Sequence, residues 1–186
     1  MAGKIMIIRH AEKPDGANQG VTISGDDDKH DLIVQGWQRA GALACLFAPT
    51  RGPLQAPGLA TPKFLFASND SSQRPKETLT PLALKLKLDI NAEFGKDQLS
   101  ELVKAAKAKA GTVLIAWQHE DIPAIGNAIL GDTTTVPQKW PGTRFDLVWI
   151  FELDPLSQKY KFSQVPQCLL AGDLNSVIER TSSAQG

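Results

Sequence analysis

The hydrophobic residues of the chain fall into two alternating patterns. Short runs of consecutive apolar residues predict buried strands at 4–9, 64–67 and 112–117. Apolar residues at helical spacing predict amphipathic helices at 35–47, 74–86, 99–110 and 122–130. Two later strands, 147–153 and 160–162, are predicted to form a hairpin. Because Pro81 lies inside the second helical pattern, we expect a kink there or a helix start just before it.

Strands that alternate with helices are typical of an α/β sandwich around a mostly parallel sheet. The length of 186 residues suits one domain, 1–186. Segment 48–62 is rich in Pro and Gly and is interpreted as a loop, since neither flank alone holds enough apolar residues for a core. Segment 13–31 is a long polar loop, and loops of this size are often functional or mobile. The final SSAQG is expected to fray.

Composition narrows the possible partners. Lys plus Arg total 20 and Asp plus Glu total 20, so the formal net charge is zero. A neutral chain gives no reason to expect nucleic acid or an anionic membrane as a partner, and attraction for an anionic substrate must be local.

Cys45 and Cys168 have no metal-binding spacing, and Cys45 is interpreted as a small core residue. No apolar run is long enough for an export signal or a membrane span, so a cytoplasmic location is expected. The sequence gives no indication of oligomeric state.

Reactive or phosphate-binding residues follow three of the predicted strands. Arg9 and His10 end the first strand, Arg74 lies shortly after the second, and His119 and Glu120 follow the third. Ligands of such sheets bind at the carboxyl ends of the strands, so we expect these side chains to converge at one edge.

This set of side chains suits phosphoryl transfer. A neutral imidazole can attack phosphorus and form a phosphohistidine. Guanidinium groups and a second histidine can stabilise charge on the equatorial oxygens, while one acid protonates the leaving oxygen. A lone strand histidine is more often a core residue, but a buried arginine without a partner is costly. Arg9 beside His10, taken with Arg74 and His119, therefore favours a phosphate site.

Four segments carry a family resemblance. IMIIRHAEKP resembles the Arg-His motif of the histidine phosphatase superfamily, SSQRPKETLTPLA resembles its second motif, and VLIAWQHEDIP resembles its strand ending in the second histidine. LIVQGWQRAGAL is similar to the segment that opens the first helix of the family, and the four occur in order over residues 4–130. The resemblance implies a three-layer, phosphoglycerate mutase-like α/β/α sandwich and catalysis without a metal or other cofactor. It implies that His10 is the nucleophile and that Arg9, Arg74 and His119 bind the phosphoryl group. Lys13 is a further substrate-binding candidate.

Three glutamates are candidates for the general acid. Glu120 directly follows His119, where one branch of the superfamily usually has Asp, although the helix N-terminus that follows favours the ionised form. Glu93 loosely resembles the glutamate of the mutase-like branch, and Glu12 is close in sequence to the nucleophile. We favour Glu120 over the other two.

The remaining polar residues receive structural interpretations. Asp121 is predicted to cap the helix that follows it. Glu77 is expected to face solvent or to pair with a lysine, and Arg39 to lie on the outer face of its helix. Segment 136–146 is expected to overhang the pocket, with Arg144 as a weaker candidate for substrate contact.

The leading hypothesis is a phosphoric monoester hydrolase that acts on a phosphorylated small molecule or on a phosphoprotein, including protein phosphohistidine. A phosphomutase of the same superfamily ranks lower, because the chain lacks long insertions that would close the pocket against water. The third hypothesis is a non-catalytic phospho-ligand binding module, which would not require a nucleophile.

Overall fold

Helices and strands alternate along residues 1–180, the part of the chain that the computed structural model describes. Within it lie six strands and four helices: β1 (Lys4–Arg9), α1 (Val34–Phe47), β2 (Phe64–Ala67), α2 (Arg74–Leu86), β3 (Ile90–Asn91), α3 (Leu99–Ala108), β4 (Thr112–Trp117), α4 (Ile122–Leu130), β5 (Leu147–Leu153) and β6 (Tyr160–Pro166). The SSAQG segment for which fraying is predicted lies outside the described residues.

The strands form one sheet in the order β3-β2-β4-β1-β5-β6. The four strands β1 to β4 are parallel, whereas β5 and β6 are antiparallel additions at one side. The prediction of a mostly parallel α/β sheet is therefore confirmed. The edge strand β3 escapes sequence-based prediction because two residues are too few to show any periodicity.

Helices cover both faces of the sheet. Ile5 and Ile7 of β1 point into a core shared with α3 and α4, while Met6 and Ile8 point into a second core shared with α1 and α2. Successive strand residues face opposite sides, so a strand buried on both faces must be apolar throughout. Each such fully buried side chain contributes roughly 1.5–3 kcal/mol.

One of two alternatives predicted at Pro81 is excluded, and the prediction that Cys45 lies in the core is wrong. Helix α2 begins at Arg74 and continues through Pro81, so a start just before the proline is excluded. Buried Leu79 and Leu82, which flank the proline, hold both parts of the helix against the core. Cys45 is exposed rather than buried, because the inward face of α1 is occupied by its neighbours, such as Ala44 and Phe47.

None of the helices described is long and apolar enough to cross a membrane.

Candidate active site

The carboxyl ends of β1, β2 and β4 lie side by side. Strand β4 is between the other two and parallel to both, with Arg9 opposite Trp117 and Ala67 opposite Ala116. The backbone N–H of His10 donates to the Trp117 carbonyl at 2.9 Å, which extends the pairing one residue beyond β1. The sheet topology thus places the segments that carry Arg9, His10 and His119 at the same edge.

Arg9 is almost completely enclosed, with 1% of its surface exposed. Its Nη1 donates to the carbonyl oxygens of Gly142 and Arg144, and its guanidinium carbon lies 3.7 Å from the centre of the Phe145 ring. Burial lowers the pKa of Arg9 to about 10, so the group stays cationic at neutral pH. Its Nε and Nη2 are buried and have no hydrogen-bond partner among residues 1–180. Two free donors on a fixed guanidinium match the oxygens of a phosphoryl group.

His10 is held as a neutral imidazole. Its Nδ1 lies 2.7 Å from the Ala11 carbonyl oxygen, which can only accept, so Nδ1 carries the proton and donates it. The Nε2 lone pair is therefore the one available for attack. Burial and the nearby cations Arg9, Arg74 and Lys13 lower the pKa of His10 to about 3. The side chain is in the form that nucleophilic attack on phosphorus requires.

Arg74 is the first residue of α2, and its Nε donates to Ser72 Oγ at 2.7 Å. Its pKa is lowered chiefly by burial, and its positive charge in turn acts on Arg9 and His10. Like charges so close together are unfavourable until an anion lies between them. The Thr78 hydroxyl donates to the Arg74 carbonyl and accepts from the Ala11 N–H, which joins α2 to the segment that follows β1.

His119 lies directly after β4 and borders the loop that carries Gly142. A side chain at Gly142 would place its Cβ 3.3 Å from His119 Nε2, so the ring would have to shift by a few tenths of an ångström to admit it. His119 Nδ1 is 3.0 Å from Glu120 Oε2, although the pair lacks the alignment of a hydrogen bond. The pKa of His119 is lowered by burial and by Arg9, against an opposing effect of Glu120.

The three acid candidates occupy different surroundings. Glu120 has 59% of its side chain exposed, and its charge acts on Arg9, Arg74 and His119. Burial tends to raise the pKa of Glu120, but its own backbone N–H and the neighbouring positive charges hold that pKa below its ordinary value.

Glu93 is exposed beside the edge strand β3 and accepts a hydrogen bond from Asn91. Glu12 is buried in an ion pair with Arg39 at 2.8 Å. Of the three acids, Glu120 is therefore the one that combines solvent access with closeness to both arginines.

The structure corrects four expectations for other polar residues. Arg39 is not on an outer face but is 3% exposed, because carboxylates reach it from distant parts of the chain. Glu77 does not face solvent: it is half-buried and accepts from the Leu32 N–H at 2.9 Å. Asp121 occupies the N-cap position of α4 but makes no capping hydrogen bond, and its carboxylate accepts from Trp117 Nε1 instead.

Arg144 is the fourth case. Its guanidinium pairs with Asp146 at 2.6 Å and donates to the Ser176 carbonyl, so it does not reach the site. The segment around it does contact the candidate site, because the Gly142 and Arg144 carbonyls accept from Arg9. The parts of this segment that contact Arg9 are thus its backbone and Phe145.

Phe145, Gly142 and Lys96 are site residues that sequence reasoning missed. Phe145 and Gly142 belong to an irregular segment without any periodic signal, and Lys96 belongs to a polar turn after β3. The charge of Lys96 acts on His119 and Glu120, as that of Lys13 acts on His10 and His119. In the described part of the chain, no cluster of three or more His, Cys, Asp or Glu side chains is arranged to hold a metal ion.

The sequence matches no protein-family model, and no curated protein matches it. Solved structures share its fold. The protein histidine phosphatase SixA complexed with tungstate is 16% identical, over 89% of this chain and 97% of that one, with a TM-score of 0.55. The mycobacterial glucosyl-3-phosphoglycerate phosphatase Rv2419c with VO3 is 12% identical, over 88% and 97%, with a TM-score of 0.54. YhfR of Bacillus stearothermophilus is 13% identical, over 92% and 97%, with a TM-score of 0.56.

These likenesses establish the fold class. The chain has the same phosphoglycerate mutase-like α/β/α fold as these three solved structures, which is the fold that the resemblance of its four sequence segments implies. At identities of 12–16%, the shared property is the fold, and the reaction has to be argued from the side chains themselves.

Proposed function

We propose that this chain is a phosphatase that hydrolyses phosphomonoesters, or phosphohistidine on a protein, through a covalent phosphohistidine at His10. The observation that carries the proposal is the pairing of two side chains. Arg9 holds two buried donor nitrogens that have no partner among the residues described, and the adjacent His10 is neutral with its Nδ1 proton already bound by a carbonyl. One group is ready to bind an oxyanion and the other to attack it.

The reaction proceeds in two displacements. In the first, His10 Nε2 forms a bond to phosphorus while the bond from phosphorus to the leaving group breaks. Arg9, Arg74 and His119 donate to the three equatorial oxygens, where the transition state concentrates charge. In the second, water loses a proton to the Glu120 carboxylate as its oxygen bonds to phosphorus and the phosphorus–nitrogen bond breaks, so inorganic phosphate leaves and neutral His10 is restored.

Glu120 is the proposed proton donor to the leaving group. Because its pKa lies below the ordinary value, it is a carboxylate at neutral pH and donates a proton efficiently only under acidic conditions. Substrates with leaving groups that depart without a strong acid, such as aryl phosphates or phosphohistidine, are therefore favoured at neutral pH. The solved relative named as a protein histidine phosphatase is in keeping with the second class.

The mutase alternative receives less support from the acid residues. Glu93, the candidate acid for that reaction, is exposed and hydrogen-bonded beside β3. A phosphomutase must also keep water from the phosphohistidine, and this chain lacks the long insertions that would build such a cover.

The test is hydrolysis of p-nitrophenyl phosphate in the presence of a chelator, followed by an alkaline quench that preserves phosphohistidine and by analysis of the protein for it. We expect turnover in the native protein, its loss in His10→Ala, and an acid-labile phosphoprotein only where His10 is present. His30→Ala is the matched control, because His30 is an exposed histidine in the 13–31 loop. Turnover that persists in His10→Ala would refute the nucleophile. Phosphate binding without turnover on any phosphorylated compound would favour the binding-module alternative.

A further inference from the structure

The backbone that follows the nucleophile is held from several sides. The Ala11 N–H donates to Thr78 Oγ1 at 2.8 Å, and the Glu12 carbonyl accepts from the Ile33 N–H at 3.1 Å. The start of α1 runs so close that a Cβ at Gly36 would lie 2.6 Å from the Glu12 carbonyl oxygen. Segment 10–12 therefore has little freedom on the sides of α1 and α2.

The Glu12 side chain is held by Arg39 of α1. Arg39 Nε donates to Glu12 Oε1 at 2.9 Å, and Arg39 Nη2 lies 2.8 Å from the same oxygen. Both side chains are nine-tenths or more buried. Removing one partner of such a pair leaves the other as an unpaired charge in the protein interior, which is strongly unfavourable.

Arg39 is itself fixed on its other side. Asp173 accepts from Nη2 at 2.6 Å and from Nη1 at 3.1 Å, and Gln167 Oε1 accepts from Nη1 at 3.0 Å. The Asp173 carboxylate is in turn bound by the backbone N–H groups of Leu169 and Leu170. Arg39 thus connects the C-terminal segment to the backbone beside the nucleophile.

A single peptide plane connects Glu12 to the imidazole of His10. The Ala11 carbonyl, which accepts the Nδ1 proton of His10, belongs to the planar unit that also contains the Glu12 N–H. A rotation of this peptide plane would turn the Ala11 carbonyl away from the imidazole. The hydrogen bond at Nδ1 decides which ring nitrogen keeps its lone pair, so the orientation of this peptide bears on whether Nε2 can attack.

We propose that Arg39 is a positioning residue for His10: through its ion pair with Glu12 it orients the Ala11–Glu12 peptide and thereby selects the Nδ1–H tautomer of the imidazole. The consequence for turnover depends on the proposed role of His10 as nucleophile, whereas the tautomer is a property of the folded protein alone.

The experiment measures both the His10 tautomer and the turnover. The chain contains three histidines, so their ring nitrogens can be assigned by long-range ¹H–¹⁵N NMR on labelled protein. In the native protein we expect one His10 tautomer, protonated at Nδ1. In Arg39→Gln we expect a mixture of the two tautomers and a kcat for p-nitrophenyl phosphate about 10- to 100-fold lower, with KM changed by less than about 3-fold, since the phosphate-binding donors remain.

Three further variants test the route through Glu12. Arg39→Lys keeps a charge that can reach Glu12 and should recover part of the lost kcat and most of the native tautomer. Glu12→Gln should resemble Arg39→Gln in tautomer and kcat. The double variant Glu12→Gln/Arg39→Gln should be no worse than Arg39→Gln, because position 12 then no longer carries a buried carboxylate that has lost its partner. If Arg39→Gln fails to fold, Arg39→Lys and Glu12→Gln decide the question.

Leu102→Ala is the control for general destabilisation. Leu102 lies in α3, in the core on the opposite face of the sheet from Arg39. At comparable loss of melting temperature it should keep the native tautomer and kcat. A folded Arg39→Gln protein with only the Nδ1–H tautomer would overturn the proposal. Absence of turnover in the native protein would count against the phosphatase assignment, and the NMR spectra would still decide the role of Arg39.

Discussion

Replacing Glu77 with Gln is expected to stabilise the protein above neutral pH. Glu77 is half-buried in α2, where its carboxylate accepts from the Leu32 N–H. Burial, and to a lesser extent contact with the buried Asp31 and repulsion from Asp28, raises its pKa from 4.5 to about 7. The positive charge of Arg74 is close by, although it does not prevent the rise. The folded protein therefore prefers Glu77 protonated.

The sign and the size of the change in the free energy of unfolding follow from the linkage between proton binding and folding. A carboxyl whose pKa is higher in the folded state binds more protons there than in the unfolded chain, so stability falls as pH rises through the interval from 4.5 to about 7. The full shift corresponds to roughly 3 kcal/mol. Because Glu77 is half-exposed, solvent screening reduces the expected loss to about 1–2 kcal/mol. A Gln side chain can still accept from Leu32 and donate to Asp31, but it does not ionise.

The measurement is urea unfolding of the native protein and Glu77→Gln at a series of pH values from about 4 to 9. We expect the two free energies of unfolding to be similar at the acidic end. They should diverge between 4.5 and about 7, with the variant more stable by about 1–2 kcal/mol at pH 8. Glu101→Gln, at an exposed position of α3, is the control and should show no such divergence. A constant difference at every pH would refute the reasoning.

Three other outcomes follow from the site. Phe145→Leu removes the ring that lies 3.7 Å from the Arg9 guanidinium and should weaken phosphate binding by roughly 2- to 10-fold in calorimetry; an unchanged affinity would contradict this role. His10 has a pKa of about 3, so its ring signals should not titrate as pH falls from 8 to about 5, and a midpoint near 6.5 would contradict the burial argument. Across a series of aryl phosphates at neutral pH, kcat/KM should fall steeply as the leaving group becomes less acidic, and less steeply at acidic pH, where Glu120 is protonated. Glu120→Gln should remove that pH difference, and equal slopes in native protein at both pH values would exclude Glu120 as the acid.

Most of the fold could be predicted from hydrophobic periodicity, because its central strands are buried on both faces. Strands β1, β2, β4 and β5 begin and end at the residues predicted from their apolar runs. Whether Cys45 lies in the core could not be predicted from its apolar character, because its position on the helix decides its exposure. Strand β6 extends to Pro166, beyond the predicted 162, because its exposed and partly buried residues give no continuous apolar run.

The site residues predicted from sequence are those that follow strand ends, such as Arg9, His10 and His119. What could not be predicted depends on contacts between distant parts of the chain. The partners of Arg9 lie 133 and 135 residues away, and Arg39 meets Glu12 and Asp173 across 27 and 134 residues. A single arginine in an amphipathic helix is assigned to the outer face by its polarity, and only these partners explain its burial.

The two halves of the proposed reaction are controlled to different degrees. On the side of the nucleophile, Arg9 and His10 are 1% and 4% exposed. The adjoining backbone is held by hydrogen bonds to Thr78 and Ile33, and the Glu12 side chain is held by its ion pair with Arg39. On the side of the leaving group, Glu120 has 59% of its side chain exposed. An ordered attacking group accelerates every substrate alike, because it acts on the phosphoryl group that all of them share. Because the acid is weakly held, the rate at which the leaving group departs depends on how readily it departs without protonation. Such a site should therefore discriminate among substrates more by leaving-group acidity than by shape.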